Sequence, residues 1–446
     1  MKRKKETKTV LMAVALSLVM SACASGAIST TAGSGSTAAD TTAAASTAGG
    51  TAGSGSTAAD MTAAASTAGG TTSAPANAGP GGGPPPDGQG GPGGRPGGPG
   101  GESVDTTTGR ITDVAAAVKT DTVTENTACG SAAETDEKVA CLADTFLQTL
   151  TEEQLKAVKY DLTAENAAVW SNLPAGNVKR NGLMFGTLSE ESLQAVKDLA
   201  AEALSGTGYS TLRSLILADE YMTTDTGNTM WDADLYYIVF LGTPSATEPW
   251  VLQISGHHYA ANLSFNGTTD SATPMFVGVE PQTFTMDGVT YEPLAARRDA
   301  MYNMLGSLSA EQQKTAAISG KFDDVLVGPG QDGNFPAKDE GILYPALDAV
   351  QQSFVKASIE AWVKDTNEEM AEELLAAYLS DEALSQTYIG WSGSTSSKDH
   401  GSYIRISGPR VWIEFVCQTG VAYKDQIHFH TIWRDKLADY GGSFSS

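Results

Sequence analysis

The chain has 446 residues, of which 41% are hydrophobic and 18% charged, and its formal net charge at pH 7 is −24. A surface this acidic repels phosphate backbones, so nucleic-acid binding is not expected. The charge is compatible with cations and with neutral or basic ligands, although it also serves simply to keep a protein soluble.

Residues 1–22 have the pattern of an export signal. A basic start is followed by an apolar run at residues 10–20, which is too short to span a bilayer. The tetrapeptide Met20-Ser21-Ala22-Cys23 then resembles a bacterial lipobox. We therefore predict an exported protein that is held at the extracytoplasmic face of a membrane only by acyl chains on Cys23. An ordinary signal peptide that contains a cysteine is the alternative.

Residues 23–108 are predicted to be a disordered tether. Residues 31–50 and 51–70 are the same twenty residues, apart from Thr41 and Met61, and they consist almost entirely of Ala, Thr, Ser and Gly. Gly-Pro runs follow from Gly79 onward. Such a composition offers almost nothing to bury and cannot offset the entropy of ordering, so we expect a flexible stalk.

The cysteines fit an exported protein. Cys129 and Cys141 are twelve residues apart and flank a polar stretch, so they are predicted to form a disulfide in an oxidising compartment. Cys417 ends an apolar run and is expected to be a small buried side chain. The chain has no CxxC pair, which argues against a zinc site made of thiolates.

Residues 109–446 are long enough for one large domain, or two closely associated ones, with a full core. Helices are predicted at 110–119, 135–149, 151–160, 189–204, 292–306, 310–319, 346–365 and 367–379. Strands are predicted at 234–241, 250–255, 258–265, 402–407, 411–417 and 426–433. Because the strands have short connections, we expect antiparallel pairing and an α+β domain in which several helices back a twisted sheet.

Similar helix starts recur along this domain. Residues 151–154 and 309–312 both form capping boxes, in which a hydroxyl and a glutamine side chain bind each other's backbone amides. A leucine precedes the capping residue at 150, 188 and 308. The recurrence indicates either related helical hairpins or only the shared chemistry of helix starts.

Alternation sorts the side chains of the last three predicted strands onto two faces. One face is expected to be apolar and to pack on the core: Ile404, Ile406, Val411, Ile413, Phe415, Ile427, Phe429 and Trp433. The other is expected to carry polar and aromatic groups: Tyr403, Arg405, Trp412, Glu414, His428 and His430. A sheet face of this composition is typical of a site.

Four of the five histidines of the chain form two close pairs, His257-His258 and His428-x-His430. Imidazole is the commonest metal ligand in proteins and the side chain best suited to carry protons near neutral pH. Because neighbouring residues of a strand point to opposite faces, only one of His257 and His258 is expected to join the second pair, unless a bulge at Gly256 intervenes. His400 lies in a separate loop.

Several blocks of sequence resemble the DUF3500 family, a large family of bacterial and fungal proteins whose function is unknown. The resemblance covers roughly residues 110–446. Its blocks are Gly256-His257-His258, Asn262, Thr273-Pro274-x-Phe276-x-Gly278, Glu340-Gly341, Trp391-Ser392-Gly393, Tyr403-Ile404-Arg405-Ile406-x-Gly408-Pro409, Ile413-Glu414-Phe415, His428-x-His430-x-x-Trp433-Arg434-Asp435 and Asp439-Tyr440-Gly441. The resemblance brings no activity, but it implies that both histidine pairs, Glu414, Arg434 and Asp435 belong to a family pattern.

The leading hypothesis is a mononuclear metal site. One or both of His257 and His258 would join His428 and His430, and Glu414 would act as a carboxylate ligand or a general base. Such a ligand set suits Zn²⁺, Fe²⁺ or Cu²⁺. The expected function is that of a metal-dependent hydrolase or oxidase of a small organic or carbohydrate substrate.

Two alternatives remain open. In a metal-free site the histidines would carry protons or bind a small ligand, and Arg405 or Arg434 would hold an anion. In the second alternative the histidines are structural, and Arg434 with Asp435 only ends the strand. The candidate catalytic residues are thus Glu414, Arg405, Arg434 and Asp435, and a non-catalytic extracytoplasmic binding protein is the alternative to an enzyme.

One group of acidic residues gives a weaker signal. Asp323, Asp324 and Asp332 offer oxygen ligands for Ca²⁺, but their spacing is not that of an EF-hand loop.

Overall fold

A computed structural model of the chain describes residues 108–124, 127–132 and 134–444, and these ranges fall within one compact unit. The predicted signal peptide, Cys23 and all but the last residue of the predicted tether lie outside the described residues. Within these ranges, no helix has both the length and the apolar composition that crossing a membrane requires.

The described part of the chain contains helices and a large sheet, which confirms the predicted α+β class. The helices are α1 Val114–Val118, α2 Thr135–Gln148, α3 Glu152–Val158, α4 Ala164–Ala167, α5 Glu190–Ala203, α6 Gly206–Thr226, α7 Ala295–Gly306, α8 Ala310–Ala316, α9 Ala349–Val363, α10 Glu368–Tyr378 and α11 Asp381–Ser385. The strands are β1 Lys159–Tyr160, β2 Leu183–Met184, β3 Tyr237–Leu241, β4 Trp250–Gly256, β5 Tyr259–Phe265, β6 Met275–Val279, β7 Phe284–Met286, β8 Val289–Tyr291, β9 Ile342–Leu343, β10 Tyr388–Ser392, β11 Tyr403–Ser407, β12 Val411–Thr419 and β13 Ile427–Asp435.

Eleven of these strands form one mixed, mostly antiparallel sheet in the order β1-β3-β4-β5-β6-β13-β12-β11-β10-β9, with β2 pairing with β3. Strands β7 and β8 form a separate hairpin. The two groups of strands predicted from sequence therefore join into a single sheet. Their junction is the antiparallel pair of β6 and β13, in which Gly278 lies opposite His430.

The two halves of this sheet repeat the same chain path. In the first half, α3 leads into β1, which pairs in parallel with β3; in the second, α8 leads to Ala317, which pairs in parallel with Trp391 of β10. Strands β2 and β9 then pair antiparallel with β3 and β10. Each half continues as a meander of four strands, β3 to β6 or β10 to β13. The recurring helix starts therefore mark an internal duplication, because α3 and α8 occupy equivalent places.

Three main elements were absent from the sequence prediction, namely α6, β6 and β10. Helix α6 carries glycines at 206 and 208 and few strong helix formers, yet its ends are signalled by Ser205, which caps Gly208, and by Gly227 with φ of 70°. Strand β6 follows directly after Pro274, a residue that usually interrupts a strand. Strand β10 lies at the far side of the second half, where it pairs with β11.

The two faces of the sheet have the composition that alternation predicts. The register places Ile404 opposite Phe415 and Arg405 opposite Glu414, so the apolar and polar sets separate. The apolar face packs against the helices in the main hydrophobic core, as the contact of Trp362 in α9 with Thr431 illustrates. The polar face is also buried, because loops cover it.

Two long loops cover the polar face at equivalent places of the two halves. We call residues 161–182 the first cover loop and residues 318–341 the second cover loop. The first places Trp170 against Phe276 and Ile432, and the second stacks Phe322 on Tyr403 with ring centres 4.1 Å apart. The site that the sequence predicts on this face therefore lies under two loops and not on an open surface.

The cysteines lie near the start of the described residues and in β12. A disulfide joins Cys129, which precedes α2, to Cys141, which lies within α2. Cys417 is free and fully buried.

Two glycines at equivalent places of the two halves are required by close backbone contacts. Gly182 and Gly341 precede β2 and β9, and their φ angles of 93° and 123° are unfavourable for other residues. A Cβ atom at either position would overlap the backbone carbonyl of Ile238 or Ile389. We expect Gly182→Ala and Gly341→Ala each to lower the free energy of unfolding by at least about 2 kcal/mol, measured by chemical denaturation. Gly206→Ala, at a position with open space, is the control and should change it by no more than about 1 kcal/mol.

Candidate metal centre

The two histidine pairs meet on the polar face of the sheet. His257 and His258 are the two residues of the tight turn between β4 and β5, in which Gly256 pairs with Tyr259. His428 and His430 lie near the start of β13. His258 has φ of 63°, a conformation uncommon for residues other than glycine, which often marks a functional position.

Three imidazoles converge at this point. His258, His428 and His430 each offer a ring nitrogen, and the three nitrogens lie within 4.8 Å of one another. The Nε2 atoms of His258 and His428 are 2.7 Å apart. The three residues are only 3%, 3% and 5% exposed, so their nitrogens face each other away from bulk water. This geometry could hold a metal ion.

A carboxylate orients His430 towards the other two histidines. The Nδ1 atom of His430 lies 2.8 Å from Oδ1 of Asp324, in the second cover loop. The side-chain amide nitrogen of Gln418 lies 3.0 Å from the same Nδ1, so both neighbours hold this edge of the ring and leave Nε2 at the other. This Nε2 is buried and has no hydrogen-bond partner among the described residues. An orphaned, correctly oriented ring nitrogen is what a metal ligand requires.

Gly278 leaves room for the rings of the cluster. A Cβ atom at this position would come within 3.0 Å of the His430 ring and 3.1 Å of the His258 ring.

The Nδ1 atom of His428 lies 3.6 Å from Oε2 of Glu280, whose two oxygens accept hydrogen bonds from the amides of Val421 and Tyr423. Glu280 thus gives the far side of the cluster a fixed negative charge.

His257 stands beside this cluster and does not converge with it. Its ring stacks on that of His258 with centres 3.6 Å apart, and its Nδ1 lies 2.7 Å from Oδ1 of Asp219 in α6. The hydroxyl of Tyr236 lies 3.1 Å from the other oxygen of Asp219. Asp219, His257 and His258 form a second group with metal-ligating geometry. Only His258 belongs to both groups. Both histidines lie in the turn and their rings stack on each other, so the alternation of strand residues does not decide which of them faces the second pair.

Electrostatics keep two of the converging imidazoles neutral. Burial, together with the charges of the neighbouring histidines, holds the pKa values of His258 and His428 well below the usual range. Neutral imidazoles have the lone pair that a metal needs. Burial alone would raise the pKa of Asp324, but the charge of His430 and hydrogen bonds to the carboxylate more than offset it and lower that pKa.

Glu414 lies on the predicted face but has a different set of partners. Its carboxylate accepts hydrogen bonds from the amides of Leu326 and Val327, the Tyr403 hydroxyl and the Trp412 indole, at 2.6 to 3.0 Å. Four donors occupy the oxygens of a fully buried side chain, and Glu414 is absent from both groups of possible metal ligands. The structure therefore places Glu414 as an anchor for the second cover loop, whereas the sequence predicts it as a ligand or base.

Arg434 and Asp435 make further structural contacts. Arg434 is fully buried, and its guanidinium binds the carbonyls of Val327 and Gly328 and the carboxylates of Asp332 and Asp439. Asp435 lies on the opposite face of β13, where it accepts hydrogen bonds from Arg410 and from Tyr378. Neither residue contacts the histidines, and Arg405 also lies outside both groups of possible metal ligands. The structure does not bring these three predicted catalytic residues to the cluster.

Sequence reasoning missed the residues that support the histidines. Asp219 lies on α6, the helix that was not predicted, and Glu280 follows β6, a strand that was not predicted. From the sequence, Asp324 and Asp332 are predicted only as Ca²⁺ ligands. In the structure Asp324 pairs with His430, and Asp332 pairs with Arg434. Gly278 gave a usable signal, since a glycine within a strand often marks the close approach of another group.

Comparison with known proteins identifies one similarity. A family model described as "Protein of unknown function (DUF3500)" matches residues 132–442, about seven-tenths of the chain. Neither the curated proteins nor the solved structures include a significant match.

The anchoring role of Glu414 can be tested by removing its charge. In Glu414→Gln, an amide group would face donors that now bind a carboxylate, so we expect the free energy of unfolding to fall by about 2–4 kcal/mol. Hydrogen exchange at the amides of Leu326 and Val327 should accelerate. Glu311→Gln removes a similar charge from a side chain that is 83% exposed and should change stability by less than about 0.5 kcal/mol. Unchanged exchange at residues 326 and 327 would contradict the anchoring role.

Proposed function

The chain belongs to the family of proteins of unknown function DUF3500, so its activity has to be inferred from its own side chains, and we propose that it binds one divalent transition-metal ion through His258, His428 and His430. The observation that carries this proposal is the convergence of three buried ring nitrogens, of which Nε2 of His430 has no partner among the described residues. Zn²⁺, Fe²⁺ and Cu²⁺ are the candidates, because all three accept imidazole ligands.

Three protein ligands leave a coordination position open for a small molecule, which is the pattern of catalytic and not of structural zinc sites. A metal ion bound in this way supplies Lewis acidity, activates water or, in the case of iron and copper, exchanges electrons. We therefore propose a metal-dependent hydrolase or oxidase that acts on a small organic or carbohydrate substrate.

The side chains around the ligands have separate tasks in this proposal. Asp324 holds the ring of His430 in its direction, and Glu280 places a carboxylate behind His428. The side chain of Asp324 is 51% exposed although His430 is buried, so solvent reaches a direct neighbour of the cluster at the second cover loop. A substrate would enter on this side.

A second function, non-catalytic metal binding, is favoured by one observation. All four clustered histidines are at most 7% exposed, which suits retention of a metal better than rapid exchange of substrate and product. Both functions require the same ligands, and they differ in whether the open position takes part in turnover.

We also propose that the protein works outside the cytoplasm, attached to a membrane through Cys23. The lipobox-like sequence at residues 20–23 and the disulfide between Cys129 and Cys141 support this proposal, because such bonds persist in oxidising compartments. The only membrane contact would be the lipid.

Metal analysis tests the ligand assignment. Protein purified without a histidine tag or chelator should contain about one equivalent of a transition metal, or take it up when Zn²⁺, Fe²⁺ or Cu²⁺ is added. The double variant His428→Ala, His430→Ala should lose the metal while its circular dichroism stays unchanged. His400→Ala, which removes an exposed histidine of another loop, is the matched control and should keep it.

Two results would overturn this proposal. Occupancy below about 0.2 equivalents in the wild type, with no uptake of added metal, would exclude a metal site. Full occupancy in the double variant would show that other residues are the ligands.

Metal removal should also affect stability, because the ligands come from both halves of the sheet. His258 belongs to the first half and His428 and His430 to the second, so a bound metal would link them. At a free metal concentration about 100 times the dissociation constant, binding should stabilise the fold by about 2.7 kcal/mol, seen as a higher melting temperature than with a chelator. If the melting temperature is the same with and without chelator, the metal does not bind the native fold preferentially.

Turnover separates the two proposed functions. For an enzyme, chromogenic esters, glycosides or phenols should be converted by the metal-loaded wild type and by His400→Ala, and not by the double variant. A metal-loaded protein that converts none of these, but whose melting temperature rises when a small molecule is added, would favour the binding protein.

A further inference from the structure

The guanidinium of Arg405 is buried without a full set of partners. Arg405 is 2% exposed and lies over the ring of Trp412, 4.9 Å from its centre. Its Nε and Nη2 atoms have no hydrogen-bond partner among the described residues. Although Glu414 lies opposite Arg405 in the sheet, its oxygens are occupied by other donors. Unmade hydrogen bonds of a buried cation are costly, so this edge of the guanidinium is expected to serve a purpose.

The free edge has the shape that binds a carboxylate. Nε and Nη2 lie side by side on one edge of the planar guanidinium, and two parallel donors match the two oxygens of a carboxylate. The nearest acid is Glu340, whose Oε2 lies 3.9 Å from Nη2, beyond hydrogen-bonding distance. Glu340 is 33% exposed and belongs to the second cover loop. A carboxylate therefore already faces this edge without closing on it.

A second cation and a hydroxyl lie beside Arg405. The Nζ atom of Lys436 lies 5.3 Å from the centre of the Trp412 ring, so Trp412 has two cations close to it. Lys436 donates a hydrogen bond to Ser407 at 3.1 Å, and its closest carboxylate oxygen, on Asp339, is 4.0 Å away. Burial lowers the pKa of Lys436, and the charge of Arg405 lowers it further. The carboxylates that pair with Arg405 and Lys436 thus lie 3.9 Å and 4.0 Å away, beyond hydrogen-bonding distance.

The internal duplication gives these residues a counterpart. In the first half the amide of Gly278 donates to the carbonyl of His258, and in the second the amide of Lys436 donates to the carbonyl of Arg410, both at 2.8 Å. The strand registers place Arg405 and Ser407 of β11 at the positions that Gln253 and Ser255 occupy in β4. The cationic group therefore occupies, in the second half, the region equivalent to that beside the histidine cluster.

We propose that Arg405 and Lys436 form a binding site for the carboxylate group of a small organic anion, with Glu340 as an internal counter-ion that the ligand displaces. The ligand carboxylate would bind the Nε–Nη2 edge of Arg405 and lie within reach of Lys436. Trp412 and Phe335, whose rings are 5.6 Å apart, form the apolar wall beside it. The site does not include the histidines, so it stands whether or not a metal binds there.

Calorimetric titration with benzoate tests the site, since benzoate is a flat carboxylate and benzamide has nearly the same shape without the charge. The wild type should bind benzoate weakly and benzamide not at all. In Glu340→Gln the internal competitor is neutral, so a larger fraction of sites is open and benzoate should bind at least about fivefold more tightly. Glu311→Gln, which removes the same charge from a side chain that is 83% exposed, is the matched control and should bind as the wild type does.

Further variants make the result decisive. Arg405→Lys keeps the charge but lacks the two-donor edge, so benzoate binding should be lost even in the Glu340→Gln background. The double variant of His428 and His430 should bind benzoate as tightly as the wild type, which separates this proposal from that of the metal site. If neither the wild type nor Glu340→Gln gives a saturable heat with benzoate, the proposal is wrong. Tighter binding of inorganic phosphate than of benzoate would also overturn the assignment to carboxylates.

Discussion

The antiparallel pairing of β6 with β13 is the interaction on which the site depends. It joins the two halves of the sheet and places His430 directly opposite Gly278. Because Gly278 has no side chain, the rings of His430 and His258 can both occupy the space above it. A shift of one residue in this register would move His428 and His430 to the apolar face, where the helices pack. The histidine cluster is therefore a consequence of how the two halves meet.

Buried charges then determine what covers the cluster. Glu414 binds the amides of Leu326 and Val327, and Arg434 binds the carbonyls of Val327 and Gly328, so charged groups of the sheet hold both sides of one short segment of the second cover loop. Breaking either set would leave a buried charge without partners, which is strongly unfavourable. The segment lies just after Asp324, and holding it keeps that carboxylate against His430. Residues that sequence alone suggests as catalytic thus act on the site through a loop.

Sequence could predict those features that depend on local periodicity. Alternation gave the two faces of β11 to β13, the succession of helices and closely connected strands gave the α+β class, and ordered motifs gave the family. Sequence could not identify the partners of Glu414, because a glutamate looks the same in a sequence whether its buried carboxylate binds backbone amides or a metal. Asp219 was out of reach for another reason: α6 is buried on several sides and lacks a clear amphipathic pattern, so nothing placed its carboxylate near His257.

The duplication shows how one backbone supports two chemistries. The turns at His257-His258 and at Pro409-Arg410 each accept a backbone hydrogen bond at their second residue, from Gly278 or from Lys436, and a backbone bond does not constrain the side chains that accompany it. In the first half the accompanying side chains include neutral imidazoles, and in the second they are cations. The two regions share one sheet face, and the second cover loop contacts both of them, through Asp324 at His430 and through Glu340 at Arg405.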